Sequence, residues 1–467
     1  MASDIRLTAE WVAVAMAGTV VAGGRGEFGG VSIDTRTIRA GELYVGIRGE
    51  KFDGAEFAGA AVAAGAAGVV VPRGRGGMAG LEGASVIEVD DTTIALQALA
   101  HRTRKASGTK VVAITGSAGK TTTKEVTAEF LGAKYRVIRN RGNLNNHIGL
   151  PLSLMELTAR PDVAVVELGM NHAGEISTLV GIAEPDVRVW TNVGEAHLGF
   201  FASVDAIADA KAEILEGAGP DSVLVANADD RLVSSRAAKF GGRVVTFGID
   251  RAAHVRADNV VDAGIEGTSA HVMTPKGAFD LRTPLIGRGN LANILAATAV
   301  GIHFDVPLAV MAERASRLTP AHHRGDVVKL GRDVVVIDDS YNSNPTAVRR
   351  ALDVLRASPV KGRRVAVIGE MLELGRHGEA LHQQVGEAVA KSGVDRLVAI
   401  GDLNALAVVV AAVTAGMPRD RIKYFTSSAA AADAFAEYVQ PGDLVLVKGS
   451  RGVRTDVVVD RLKAEFA

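Results

Sequence analysis

Residues 111–125 read VVAITGSAGKTTTKE, and this is where the chain's chemistry is most legible. Val111 to Thr115 is a short apolar run expected to form a buried strand. Gly116-Ser117-Ala118-Gly119 is a turn almost free of side chains, and Lys120 to Glu125 opens a helix. Small residues let backbone N–H groups approach phosphate oxygens, and a helix N-terminus favours negative charge there. Lys120 reaches the outer phosphates and the Thr121 hydroxyl can hold Mg²⁺. A full motif of this kind has glycine at position 114, where this chain has Ile114. The reading is a nucleoside triphosphate site built from Gly116, Ser117, Ala118, Gly119, Lys120, Thr121 and Thr122. Its bland alternative is a glycine-rich strand-to-helix turn.

Other polar residues stand where apolar runs end. Glu167 closes AVVE and can hold Mg²⁺ beside a phosphate loop, or merely cap a turn. His197, in TNVGEAHLG, is as readily a buried structural imidazole as a ligand. Lys211, in DAIADAKAEIL, reads from the residues alone as a solvated helix face. The stretch RNRGNLNNHIGLPLSL is dense in amides, including Asn145 and Asn146, which can present both donor and acceptor to a ligand. Asn290 and Asn293 lie one helical turn apart and suit a purine edge, although capping accounts for Asn290 equally well. Asp34-Thr35-Arg36 follows a strand, where such a tripeptide faces a phosphate or uridine edge or forms an ordinary polar turn.

The elements that must position these residues alternate. With 467 residues the chain has room for about three domains. Hydrophobic residues make up 48% and charged ones 22%, so core is ample and disorder is not the default. The expected division is 1–108, a small α/β unit; 109–318, a P-loop domain with a mostly parallel sheet; and 319–467, a Rossmann-like domain. The fold class is α/β. Strands are expected at Val163 to Leu168, Val187 to Val193, Ser222 to Ala226 and Val244 to Gly248, then at Asp333 to Ile337, Arg364 to Ile368, Arg396 to Ile400, Ile422 to Phe425 and Leu444 to Val447. Ligands then gather at their carboxyl ends. In the last segment those ends carry DDSYNSNP, GEMLELG and KGSRG, with no glycine-rich dinucleotide fingerprint, so NAD is not expected. A net charge of −1 without a basic block argues against nucleic acid, and the absence of cysteine removes disulfide and thiolate chemistry. The N-terminus lacks a signal layout and no apolar run reaches the about 20 residues a membrane span needs, so a soluble cytoplasmic monomer is expected.

The ordered set GSAGKTTTKE, NLNNHIGLPLSL, ELGMNHAGEI, TNVGEAHLG, IADAKAEI, GNLANILAA, DDSYNSNP, GEMLELG and KGSRGVRTD resembles the Mur ligases over nearly the whole chain. Gly289 departs from the histidine common in that family, and Ala55 from a common FDGH. The resemblance implies an enzyme of peptidoglycan synthesis with UDP-binding, ATP-binding and C-terminal ligase domains. DDSYNSNP and GEMLELG favour, within the family, substrates UDP-N-acetylmuramoyl-tripeptide and D-alanyl-D-alanine. A peptide carboxylate would attack the γ-phosphate of ATP, and the acyl phosphate would meet the incoming amine. By the same resemblance Thr121 and Glu167 hold Mg²⁺, and His197 a second Mg²⁺. Lys211 is the lysine carbamylated by CO₂, Asn293 lies on the adenine side, and Arg324 and Asp339 reach ATP. Asp34, Thr35 and Arg36 meet the UDP part; Asn145, Asn146 and Arg451 meet substrate. Rival readings are a sibling ligase adding the third peptide residue, a folylpolyglutamate synthetase, and a P-loop module without ligase activity.

Overall fold

The computed structural model describes residues 5–23, 26–435 and 438–467. Its largest sheet has nine strands and carries the P-loop at its middle. From one edge the order is Gly277–Thr283, Thr268–Thr274, Val255–Asp262, Arg243–Gly248, Val223–Asn227, Val187–Trp190, Lys110–Thr115, Val163–Glu167 and Val137–Arg139. Pairing is parallel from Val255–Asp262 to Val137–Arg139, and antiparallel between the other strands. The central parallel strands, Lys110–Thr115, Val163–Glu167, Val187–Trp190 and Val223–Asn227, are buried on both faces apart from Lys110, so they read as short runs rich in valine. Helices Lys120–Leu131 and Gly287–His303 contribute to one core; Trp190, Leu150 and Ile176 belong to another. Ile114 is fully buried and pairs with Glu167 and Val189, so the position where a glycine was missed is a core strand position upstream of the turn.

The C-terminal sheet runs Asp326–Lys329, Val335–Asp339, Leu444–Lys448, Arg364–Gly369, Arg396–Ile400, Ile422–Phe425, all parallel except the first pair. The N-terminal sheet runs Thr19–Ala22, Ser85–Val89, Gly68–Pro72, Leu43–Val45, Val31–Ser32. Between it and the P-loop lies helix Thr92–Ser107, whose ends follow its sequence signals. Asp91 Oδ1 accepts from the Thr93 and Ile94 N–H groups, and Gly108 closes the helix at φ +69°.

Strand ends shift by a residue in several places, and three differences from expectation are larger. The strand beginning at Val187 stops at Trp190, because Thr191 and Asn192 turn to bond the P-loop. The strand expected from Asp333 begins at Val335, since Arg332 and Asp333 hold positive φ in the preceding turn. The antiparallel strands from Val255 to Thr283 were not expected; half-exposed strands alternate polar and apolar residues and lack a continuous apolar run. Among the described residues no helix is long and apolar enough to cross a membrane.

Candidate active site

The P-loop and strand ends converge on one cleft. Lys120 Nζ donates to the Gly116 carbonyl at 2.9 Å. Thr121 Oγ1 donates to Glu167 Oε2 at 2.7 Å, and Asn145 Nδ2 to Glu167 Oε1 at 2.8 Å. Behind them the Glu167 N–H donates to Asn140 Oδ1 at 2.9 Å, so both ends of this residue are held. Burial alone would raise the Glu167 carboxyl, but the Lys120 charge and the Thr121 hydrogen bond, with Arg324 and Asn145, outweigh it and hold it below its ordinary range. Gly119 is required twice over: its φ is +81°, and a Cβ there would stand 2.3 Å from Asn293 Oδ1. That contact places Asn293 against the loop, while Asn290 Nδ2 donates to the Ile286 carbonyl. The N–H groups of Ser117 and Ala118 are committed to Asn192, a residue the motif did not single out. The helix N-terminus from Gly119 is left facing the cleft.

Lys211 corrects the expectation of a solvated helix face: it is 2% exposed. In helix Val204–Ala212 the buried residues are Ile207, Ala208, Ala210 and Lys211. Lys211 lies four residues after Ile207 and three before Ile214, on the apolar stripe, a spacing that could have revealed it. It makes no ion pair among the described residues. Burial first, then the Lys120 charge, pushes its ammonium well below the ordinary lysine range, with Glu167 acting the other way. Both effects disfavour the protonated form relative to an exposed lysine.

The C-terminal sheet forms the opposite wall. The two compartments of the cleft have volumes of about 520 and 420 Å³ and meet at Ser117, Gly119 and Arg324. The larger is lined by Lys120, Glu167, Asn145, His197 and Arg451; the smaller by Thr122, Asn293 and Asp339. Asp339 Oδ2 accepts from Lys448 Nζ at 2.6 Å, and Lys448, absent from the predicted set, is itself 2% exposed. The Arg324 guanidinium lies 4.2 Å from the Tyr341 ring centroid. The walls touch at His197, whose Nδ1 is 2.6 Å from Glu373 Oε2, and at Glu195, which accepts from Thr346 Oγ1 at 2.6 Å. Beside them the Gly199 N–H donates to the Glu373 carbonyl at 2.7 Å, and a Cβ on Gly199 would stand 2.8 Å from that oxygen.

Other predicted residues lie apart. Asp34 and Arg36 form a bidentate pair at 2.8 and 2.6 Å, with Thr35 between them, and line neither compartment. The Arg36 hydrogen bonds lower the Asp34 carboxyl to about 2. Asn146 is exposed, and its Oδ1 accepts from the Gly149 N–H at 2.8 Å. Lys124 was also missed: 1% exposed, it lines the larger compartment and donates to the Asn140 carbonyl at 2.7 Å. Its signal was helical spacing, four residues after Lys120.

A phosphate-binding loop faced by a carboxylate and buried lysines, and closed by a second α/β sheet, defines a P-loop enzyme of the phosphoryl-activating class. The chain matches the Mur ligase family, catalytic domain over residues 27–104, the Mur ligase middle domain over 114–301 and the Mur ligase, glutamate ligase domain over 323–451. It is 34% identical to the UDP-N-acetylmuramoyl-tripeptide--D-alanyl-D-alanine ligase of Bacillus subtilis, across 93% of each chain. Its fold is similar to the crystal structure of MurF from Acinetobacter baumannii, with a TM-score of 0.89 and 30% identity, covering 99% of this chain and all of the other. It is also similar to MurF ligase from Thermotoga maritima in complex with ADP, with a TM-score of 0.81, 27% identity and coverage of 94% and 97%. The chain belongs to the Mur ligase family.

Proposed function

We propose that the chain joins D-alanyl-D-alanine to UDP-N-acetylmuramoyl-tripeptide with ATP, forming an amide and releasing ADP and phosphate in the cytoplasm. The observation that carries the reading is the convergence of Lys120, Thr121 and Glu167 from one sheet with Arg324 and Asp339 from another on a single cleft, with Lys211 buried within electrostatic reach of Lys120 and Glu167. The names of the relatives supply the substrates. Domains dividing near residues 108 and 318 would let the walls close around them, and every residue invoked comes from one chain, which suits a monomer.

Two anions must meet in the first step, so cations have to surround them. The tripeptide carboxylate oxygen attacks the γ-phosphorus, the bond to the β-phosphate oxygen breaks, and ADP leaves. Lys120 and Arg324 face the charge that builds on the transferred group. The dipeptide amine then attacks the acyl carbon, and the C–O bond to phosphate breaks with loss of the amine proton. Thr121 Oγ1 and Glu167 Oε2, 2.7 Å apart, are oxygen donors of the kind Mg²⁺ takes, and so fit that ion although no cluster of three acidic or imidazole groups occurs among the described residues. Bound there, Mg²⁺ would neutralise phosphate charge. Asn145 fixes the second oxygen of Glu167. Glu373 engages Nδ1 of His197, which leaves Nε2 as the ring nitrogen for a second ion. A neutral Lys211 amine can add CO₂, releasing a proton and becoming a carbamate that inverts its charge beside such an ion. Asn293 lies where an adenine edge would enter, Asp34, Thr35 and Arg36 serve the UDP end, and Asn146 and Arg451 contact substrate.

Phosphate release measured with each substrate omitted in turn tests the reading. Release is expected only when ATP, the UDP-tripeptide and the dipeptide are all present. Release without the dipeptide, or with a free amino acid replacing it, contradicts the assignment.

A further inference from the structure

Tyr341 carries two guanidinium groups on one ring. Arg324 lies 4.2 Å and Arg451 5.3 Å from its centroid, and Arg451 Nη1 also donates to the Tyr341 hydroxyl at 3.2 Å. The arginines face different parts of the cleft. Arg324 lines both compartments and acts on the charges of Lys120 and Glu167, so it belongs to the phosphate side. Arg451 lines only the larger compartment, beside Leu372 and Glu373 of the C-terminal wall. Neither makes an ion pair among the described residues. The Tyr341 N–H donates to the His323 carbonyl at 3.1 Å, which ties the ring to the turn bearing Arg324.

Two guanidinium groups this close repel each other, and an aromatic face offsets that repulsion while fixing both side chains. An unpaired arginine held in this way is ready for an anion, and the ordering of its side chain is not charged against binding. We propose that Tyr341 is a positioning residue holding a nucleotide-side arginine and an acceptor-side arginine on one platform. Arg324 then meets the terminal phosphate and Arg451 the carboxylate of the incoming dipeptide. The inference rests on the ligase reading above and adds a residue that sets the affinity for two of the three substrates while leaving the third alone.

Initial rates of full-length Tyr341→Leu and Tyr341→Phe, with each substrate varied in turn, test it. Tyr341→Leu removes the platform, so KM is expected to rise about fivefold or more for both ATP and D-alanyl-D-alanine, with the UDP-tripeptide KM unchanged. Tyr341→Phe keeps the ring but loses the hydroxyl partner of Arg451, so only the dipeptide KM rises, by about threefold. A Leu variant that shifts one KM alone, all three alike, or only kcat overturns the proposal. So does a Phe variant with an unmoved dipeptide KM, and that arm decides alone if the Leu variant does not fold. Wild-type phosphate release that needs no dipeptide would instead sink the ligase reading, and this inference with it.

Discussion

The two walls of the cleft each bury a lysine, and they treat it in opposite ways. Lys448, on the C-terminal wall, is 2% exposed and has Asp339 at 2.6 Å and the Asn342 carbonyl at 3.0 Å. Lys211, on the central wall, is equally buried, has no ion pair among the described residues, and is pressed further toward neutrality by Lys120. Burying a charge costs several kcal/mol unless a partner repays it, so Lys448 is accounted for by structure alone and Lys211 is not. An amine buried with no ion-pair partner among the described residues, near the Lys120 and Glu167 charges, is what the proposed carbamate would require.

That contrast can be broken most severely by replacing Lys211. Its Ala variant is expected to lose at least about 100-fold in turnover, as when a group stabilising transition-state charge is removed. Added acetate or formate should restore part of the rate by standing in for the missing carbamate. Full activity of the variant would make Lys211 an ordinary core residue.

Stability sharpens the same contrast. Lys448→Met strands Asp339 and should lower unfolding free energy by about 2 kcal/mol, below the value for a fully buried pair because Asp339 is partly exposed. Lys211→Met removes an amine whose protonated form folding disfavours and, in bicarbonate-free buffer, should gain about 1 kcal/mol. The sign follows from linkage: a lysine depressed in the fold binds fewer protons there than in the unfolded chain. Wild-type stability therefore rises with pH between the depressed value and the ordinary 10.5, and the Met variant should lose that slope. Denaturant melts of both variants across that window check this, and equal shifts would erase the distinction between the walls.

The smallest effect is expected outside the cleft. Arg36→Ala breaks a solvent-exposed, screened pair, so stability should barely move. A rise in the KM for UDP-tripeptide without change in the ATP KM would place the UDP end at this turn; unchanged kinetics would remove it from the site.

Much of the fold was legible because its strands are parallel and buried on both faces, giving continuous apolar runs such as Val163 to Val166. Caps at Asp91, at Gly108 and at Asn344 before Pro345 stand where the sequence signals them. The antiparallel extension from Val255 was not legible, since one-sided burial dilutes the pattern. At the site, the strand-end rule brought out Glu167 and Asp339. The burial of Lys211 was written in its spacing from Ile207, but alanines around it disguised the apolar stripe. The Arg324–Tyr341–Arg451 contact joins segments far apart in sequence, and no local pattern encodes it.

The central claim is that the peptide carboxylate, and not water, takes the γ-phosphoryl group. With ¹⁸O in the terminal carboxylate of the UDP-tripeptide, the attacking oxygen stays with phosphorus when the amine displaces it. Mass spectrometry of the released phosphate should then find one ¹⁸O per turnover. Unlabelled phosphate released along with the amide product would contradict the account.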